Sequence, residues 1–400
     1  MSNSSHTISN SLLSGRCHGR VLEVVCGNEK SEEPTSENHK NIIVLVKDQL
    51  YALNYQGDTE LSAGSLISFE LGENSEVVKL KTEGPAVNFE AEGDLLRWRR
   101  PAINPSRMKL LRIRQQIMRG IREWFELQEF IETETPLLVS APSPESQFSP
   151  VKTDSGFLIT SPEFQMKRLL AGGFEKIYQL ARCFRKAESG PLHNPEFTML
   201  EWYRSNEALE VLMSDIEQLV LHLSKTITAE NFPVKIPLPP WPRVTVCSLF
   251  KKHLNIILDG CESASQLREK AQLSGHAELL VDLATEPNLT ESLAYEQIFF
   301  RLWNHIEAEF ADSSPLFVYE WPLPLASLAR PYPQRSGFAE RVELYVDGME
   351  LANGFRELTD AAEQRRRFEQ DLKNRLSEGR SSVPLDEKFL RCLEQGLPES

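Results

Sequence analysis

Residues 193–204, HNPEFTMLEWYR, place rings and acids at alternate positions. In an extended strand that alternation puts Phe197, Met199, Glu201 and Tyr203 on one face, and Glu196, Thr198, Leu200 and Trp202 on the other. Upstream, residues 177–185 also read as a strand, ending in Cys183-Phe184-Arg185, and the connection 186–194 is long and polar for a hairpin. Loops of that kind carry function. A guanidinium at the lip of a sheet can grip phosphate in a fork, Phe197 can stack on a planar base, and Glu201 with Tyr203 can meet an ammonium group. Each also has an ordinary reading: Arg185 as a surface charge, Phe197 as core, Glu201 as a solvated strand acid.

Two further segments offer acids. In RVELYVDGMELANGFREL, Asp347-Gly348 between apolar runs signals a type I′ hairpin. A two-residue loop pairs Val346 with Met349 and Tyr345 with Glu350. Glu343 then shares a face with Glu350, diagonal to it at about 7 to 8 Å. Two carboxylates so placed suit a Mg²⁺ ion that also binds nucleotide phosphates, while an exposed acidic hairpin is the ordinary alternative. Glu357 follows seven residues after Glu350. In ITSPEFQMKRLL, Thr160 or Ser161 as N-cap, Pro162 in the first turn and Glu163 near N3 form a helix start. The Glu163 carboxylate then sits where it can face a bound amino group.

These segments need elements to hold them. Residues 21–25, 42–46, 51–55, 66–71 and 77–80 are short β-rich runs separated by Gly, Asn, Asp and Ser. Five such strands suggest a small barrel of the oligonucleotide/oligosaccharide-binding kind over 16–84, although acidic residues outnumber basic ones there. Residues 1–15 read as a frayed tail and 85–105, with four prolines and glycines spaced along it, as a linker. A helix capped by Ser106 runs to about residue 128, with Leu110, Ile113, Ile117, Ile121 and Trp124 on its buried face. Residues 130–139 look extended and 141–150 loop-like. Residues 208–224 are helical, 248–310 mostly amphipathic helix, and strands return at 316–320 and 341–355.

The 400 residues carry 44 Lys/Arg against 58 Asp/Glu, a net charge of −14 that disfavours general nucleic-acid binding. Six cysteines without a CxxC pair and eight histidines without HExxH spacing argue for free thiols and against structural zinc. No apolar run approaches the roughly 18 residues of a membrane helix, and the first residues do not read as a secretion signal, so a cytoplasmic protein is expected.

Taken in order, residues 105–400 resemble the catalytic domain of a class II aminoacyl-tRNA synthetase of the lysyl type. The 106–136 segment is similar to motif 1, which builds the dimer interface in that family. FRKAESGPLHNPEFTMLEWYR resembles motif 2, and GMELANGFREL the family's metal and lysine segment. EWYR, PLASLAR and NGFRELTDAAEQRRRFEQD look most like the paralogues that attach β-lysine to elongation factor P. The resemblance implies an α+β fold with an antiparallel sheet flanked by helices, a homodimer, and use of ATP and Mg²⁺. It makes Arg185 the ligand of the α-phosphate and Phe197 the stacking partner of adenine, with Lys186, Asn194, Glu350 and Leu351 around the nucleotide. It places Ser161, Glu163, Glu201, Tyr203 and Glu357 at the amino acid, Glu163 on its α-ammonium and Tyr203 with Glu357 at its distal one. It assigns the metal to Glu343 and Glu350.

Two departures stand out. Relatives carry a glutamate two residues after the motif 2 arginine, where this chain has Ala187, with Glu188 one place later. Motif 3, a strand and helix with a glycine-rich turn and an arginine for the γ-phosphate, does not occur up to Ser400, which puts activity in question. Three functions are compatible: activation of lysine or β-lysine with transfer to elongation factor P, aminoacylation of lysine tRNA, or a catalytically silent binding protein.

Overall fold

The computed structural model describes residues 16–26, 39–46, 49–62, 64–72, 76–83, 107–145, 147–186, 190, 193–227, 236–281, 283, 289–310 and 314–400. The expected tail, the linker, Ser106 and the Ala187/Glu188 pair lie outside them. The chain divides into two compact units, Met1–Gln116 with Thr228–Phe232, and Ile117–Ile227 with Pro233–Ser400. That division falls inside a helix expected to be continuous.

The first unit holds β1 (Arg16–Cys26), β2 (His39–Val46), β3 (Gln49–Gln56), β4 (Leu66–Leu71) and β5 (Glu76–Thr82). All five correspond to the β-rich runs. The ladder runs β1-β2-β3-β5-β4 and closes through a β4–β1 pairing, with only β3 and β5 parallel. Val21, Ile42, Val44, Ile67 and Phe69 fill its interior with next to no exposure. Closure leaves no strand of this ladder with a free edge.

The second unit takes up the rest of helix α1 (Arg107–Leu127). Ile121 and Trp124 pack with Phe125 on Phe130, Tyr178 and Leu219 as the apolar spacing requires, whereas Leu110, expected on the same face, is exposed. At mid-helix Gly120 a Cβ would meet Leu223 Cδ2 at 3.0 Å, a tight contact from which that flexible side chain would have to draw back. Short strands β6 (Ile131–Glu132), β7 (Leu138–Val139), β8 (Lys152–Thr153) and β9 (Gly156–Leu158) lead to α2 (Glu163–Ala171), then β10 (Lys176–Phe184), β11 (Glu196–Arg204) and α3 (Leu209–Thr226). After β12 (Arg243–Thr245), the region expected to be mostly amphipathic helix holds α4 (Val246–Leu254), α5 (Ala264–Leu273) and α6 (Glu291–Glu307). Asn255 in the left-handed region ends α4, and a Ser263 capping box starts α5. These helices bury Phe250, Phe299 and Trp303 against Val318 and Trp321. The chain continues through β13 (Leu316–Pro322), β14 (Pro331–Tyr332), β15 (Arg335–Val346), β16 (Met349–Phe355), α7 (Ala361–Ser377) and α8 (Glu387–Gln395).

A central antiparallel sheet was expected, and the described strands of this unit form three sheets. One has the order β11-β10-β6, a second the order β12-β13-β15-β14 with β16 also on β15, and a small third the order β7-β9-β8. Among the described strands β11 pairs only with β10, and β16 only with β15. These two outer strands bound the space that holds the site.

Candidate active site

The alternation read in β11 holds. Phe197 and Met199 pack with Ile159, Ala181 and Cys183, and Tyr203 with Ile177 and Phe164, while Leu200 and Trp202 join the core under α1. Register fixes Cys183 opposite Phe197, Gln179 opposite Glu201 and Ile177 opposite Tyr203. Arg204 ends the strand in a fork on buried Asp215, at 2.6 and 3.0 Å, and so ties β11 to α3.

Between β11, β16, α2 and α6 lies a cavity of about 1520 Å³. Ser161, Glu163, Arg185, Phe197, Glu201, Tyr203, Glu343, Glu350, Leu351 and Glu357 all line it. Lys186 and Asn194 do not. Both are exposed on the connection between β10 and β11.

Arg185 leaves the end of β10 with its Nε donating to the Thr160 carbonyl at 3.4 Å. Its guanidinium lies 3.8 Å from the Phe148 ring centroid and 5.2 Å from that of Phe197. Phe148 comes from the loop 141–150, which composition alone marks only as irregular. Both rings lie within cation–π reach of the guanidinium.

At the other end, acids gather. Glu163 is the first residue of α2 rather than its third. Pro162 takes the cap position without a side-chain cap bond, and Ser161 Oγ accepts from the Glu163 N–H at 3.3 Å. Tyr203 donates to Glu201 Oε1 at 2.5 Å. Glu357, at 3% exposure, follows β16 and bridges to Ala329. Glu201 is pushed up to about 8, first by burial and then by Glu163, against the pull of Tyr203 and Lys167. Burial also lifts Glu357 to about 8, with Lys167 opposing and Glu163 adding to it. Glu145 is raised too, by lost solvation and then by Glu163. Loss of water disfavours each charged form, and like charges add to it.

Sequence reasoning passed over Lys167. Its Nζ lies 2.5 Å from Glu163 Oε1 and forms a second ion pair with Glu357. Burial works against its charge, but Glu163 and Glu357 outweigh that and hold its pKa above the ordinary range.

The hairpin forms as read, with Val346 opposite Met349 and Tyr345 opposite Glu350. Beyond that pair the simple register fails. A bulge between Leu344 and Tyr345 sets Leu344 opposite Ala352 and Glu343 opposite Asn353, one residue further than a regular ladder allows. Both Glu343 oxygens are engaged, Oε1 by Arg341 at 2.5 Å and Oε2 by the Tyr345 hydroxyl at 2.6 Å. Glu343 is raised to about 7 by burial, opposed by Arg341 and reinforced by Glu350. Glu350, an exposed residue, is raised as well, first by lost solvation, with Arg341 opposing and Glu307 adding to it. Among the described residues no group of three or more His, Cys, Asp or Glu side chains is arranged for a metal ion. Paired acids that repel one another are nonetheless suited to a hard cation completed by phosphate oxygens, the usual form of a Mg²⁺ site.

A β11 surface carrying an arginine, a ring and acids, facing a β-hairpin with two more acids, is the framework the sequence resemblance anticipated. Residues 95–400 match the model of class II tRNA synthetases (D, K and N), and the chain belongs to that family. It is similar to the elongation factor P (R)-beta-lysine ligase of Erwinia tasmaniensis, 39% identical over 297 residues covering 72% of this chain and 85% of the relative. The ligase of the same name from Pectobacterium atrosepticum is 39% identical over 296 residues, 72% of this chain and 85% of its own. That of Proteus mirabilis is 36% identical over 296 residues, 71% and 84%. No described helix is long and apolar enough to cross a membrane.

Proposed function

We propose that residues 106–400 activate lysine or β-lysine with ATP as an aminoacyl-adenylate and transfer it to a lysine side chain of elongation factor P, as a cytoplasmic homodimer. The observation that carries this reading is one cavity lined by a guanidinium beside two rings and by a set of acids. The names of the relatives supply the acceptor.

The substrate carboxylate attacks the α-phosphorus; a new P–O bond forms, the α–β bridging bond breaks, and pyrophosphate leaves. No general base is needed, because the attacking carboxylate is ionised at neutral pH. Arg185 offsets the charge that grows on the α-phosphate oxygens. Phe197 stacks on adenine, Lys186 and Asn194 flank the nucleotide from the connection, and Leu351 lies beside Glu350 at its phosphates. Glu343 and Glu350 would hold Mg²⁺, which supplies Lewis-acid stabilisation of phosphate charge when bound. Ser161 positions Glu163, which takes the α-ammonium, while Glu201, Tyr203 and Glu357 receive the distal one. An acid-lined pocket rejects neutral side chains because its own groups would be left unpaired.

Transfer then joins the acceptor amine to the activated carbonyl, releasing AMP. Incubating elongation factor P with ATP and the amino acid is expected to add one lysyl mass to it. A second reading, aminoacylation of lysine tRNA, is favoured by the closed five-stranded ladder, which we assign to the oligonucleotide/oligosaccharide-binding type. The acid excess of that segment weighs against it. Charging of tRNA with no change in elongation factor P would reverse the order of the two. ATP binding without either transfer would point to a silent binding protein.

A further inference from the structure

Lys167 is a buried cation where ordinary packing would place an apolar side chain. It is 1% exposed, on the inner face of α2, and its Nζ lies 5.3 Å from the Phe355 ring centroid and 5.9 Å from that of Phe389. Those rings offer no strong acceptor. Its ion-pair partners are two carboxylates from distant parts of the chain, Glu163 at the start of α2 and Glu357 after β16. A buried ion pair is by itself weak evidence for stability, since a well-packed apolar side chain is often as good. Its presence here calls for a different reason.

Charge supplies one. Glu163 from α2 acts on Glu145 of the 141–150 loop, on Glu201 of β11 and on Glu357 after β16, with the Tyr203 hydroxyl on Glu201. Lys167 opposes the rise in Glu145, Glu201 and Glu357 alike. Without that cation, Glu357 would be harder still to ionise in a site with little water. A protonated carboxyl presents a donor to an incoming ammonium instead of an acceptor. With the cation in place, Glu163 accepts one aligned hydrogen bond from it. Glu357 Oε2 is buried and ion-paired to the same ammonium, so one cation ties the two acids together.

We propose that Lys167 is a positioning residue for the amino-acid subsite, holding Glu163 and Glu357 as an aimed pair that receives the two ammonium groups of a diamino acid. This rests on the functional reading given above. Lys167 touches neither the reacting carboxylate nor the nucleotide in this scheme; it acts through the two acids.

The test uses the full chain with Lys167→Met and Lys167→Arg, measuring pyrophosphate–ATP exchange against lysine and β-lysine concentration from pH 7 to 9. For Lys167→Met, KM for the amino acid is expected to rise about tenfold or more at pH 7, the effect of roughly one unit in a carboxyl pKa. kcat and the KM for ATP stay near the wild-type values, and the defect narrows toward pH 9 as the acids ionise unaided. Lys167→Arg keeps the wild-type pH profile. A loss confined to kcat, or a KM defect equal at every pH, would overturn the proposal. Lys167→Gln serves in the same assay if Lys167→Met does not fold. Should the wild type show no exchange, the functional reading fails, and carboxyl titration followed by ¹³C NMR still decides the role of Lys167. The Glu357 signal, identified by Glu357→Gln, must protonate at higher pH in Lys167→Met than in wild type. Unchanged titration would refute it.

Discussion

Arg185 has two aromatic surfaces to rest on, so its contribution is expected to be electrostatic rather than structural. Arg185→Ala should lower kcat/KM for exchange by about a hundredfold or more, in the range of losing one oxyanion-type donor, with an unchanged circular dichroism spectrum. Unchanged turnover would remove Arg185 from the mechanism. The acids carry a pH signature. Glu201 and Glu357 are each pushed up to about 8, burial being the main cause. An ammonium ligand favours their ionised forms, so binding below that pH must expel protons. KM for the diamino acid should therefore fall as pH rises from 6.5 to 8, by up to about tenfold per unit for each group, and flatten above it. A flat KM over that range would contradict the assignment of these acids to the substrate. At this scale much was legible. Ten of the twelve residues singled out line one cavity. Lys167 was not, because Glu163 and Lys167 four apart on a helix read as an ordinary surface pair until Glu357 closes over them. Glu145 and Phe148 sit in a loop with no periodicity to mark them, and Arg341 acquires meaning only through its contact with Glu343.

Elements were legible where periodicity is strong. The β11 faces, the Asp347-Gly348 turn and the five N-terminal strands follow from alternation and turn chemistry. The bulge in the β15–β16 ladder did not, since nothing local distinguishes Leu351 from its neighbours; tertiary packing chooses where the extra residue goes. The division of the expected sheet into three was likewise invisible, because pairing partners far apart in sequence leave no local trace. One close approach joins the helical segment to β15. At Gly260, with φ +79°, a Cβ would meet the Gly337 carbonyl oxygen at 2.3 Å. Gly260→Ala combines left-handed strain with a backbone clash and should cost about 1 to 3 kcal/mol or more, read as a lowered urea midpoint at unchanged m-value. A midpoint equal to the wild type would mean that this contact yields freely.

Across the whole molecule, the net charge of −14 argues against a phosphate backbone as the principal acceptor, and the acid-lined cavity argues for a cationic substrate. Salt offers a discriminating prediction. A tRNA acceptor held by several phosphate contacts would lose affinity steeply between 50 and 200 mM salt, by roughly a thousandfold or more, whereas transfer to a protein lysine should vary far less, as measured by acceptor KM. The central claim is narrower than the choice of acceptor: one cavity activates a diamino acid by recognising its charges. Pyrophosphate–ATP exchange with lysine, β-lysine and norleucine, a neutral analogue lacking the distal amine, tests it most directly. The predicted result is exchange with at least one of the diamino acids and essentially none with norleucine. Equal exchange with norleucine, or none with any of them, would contradict it.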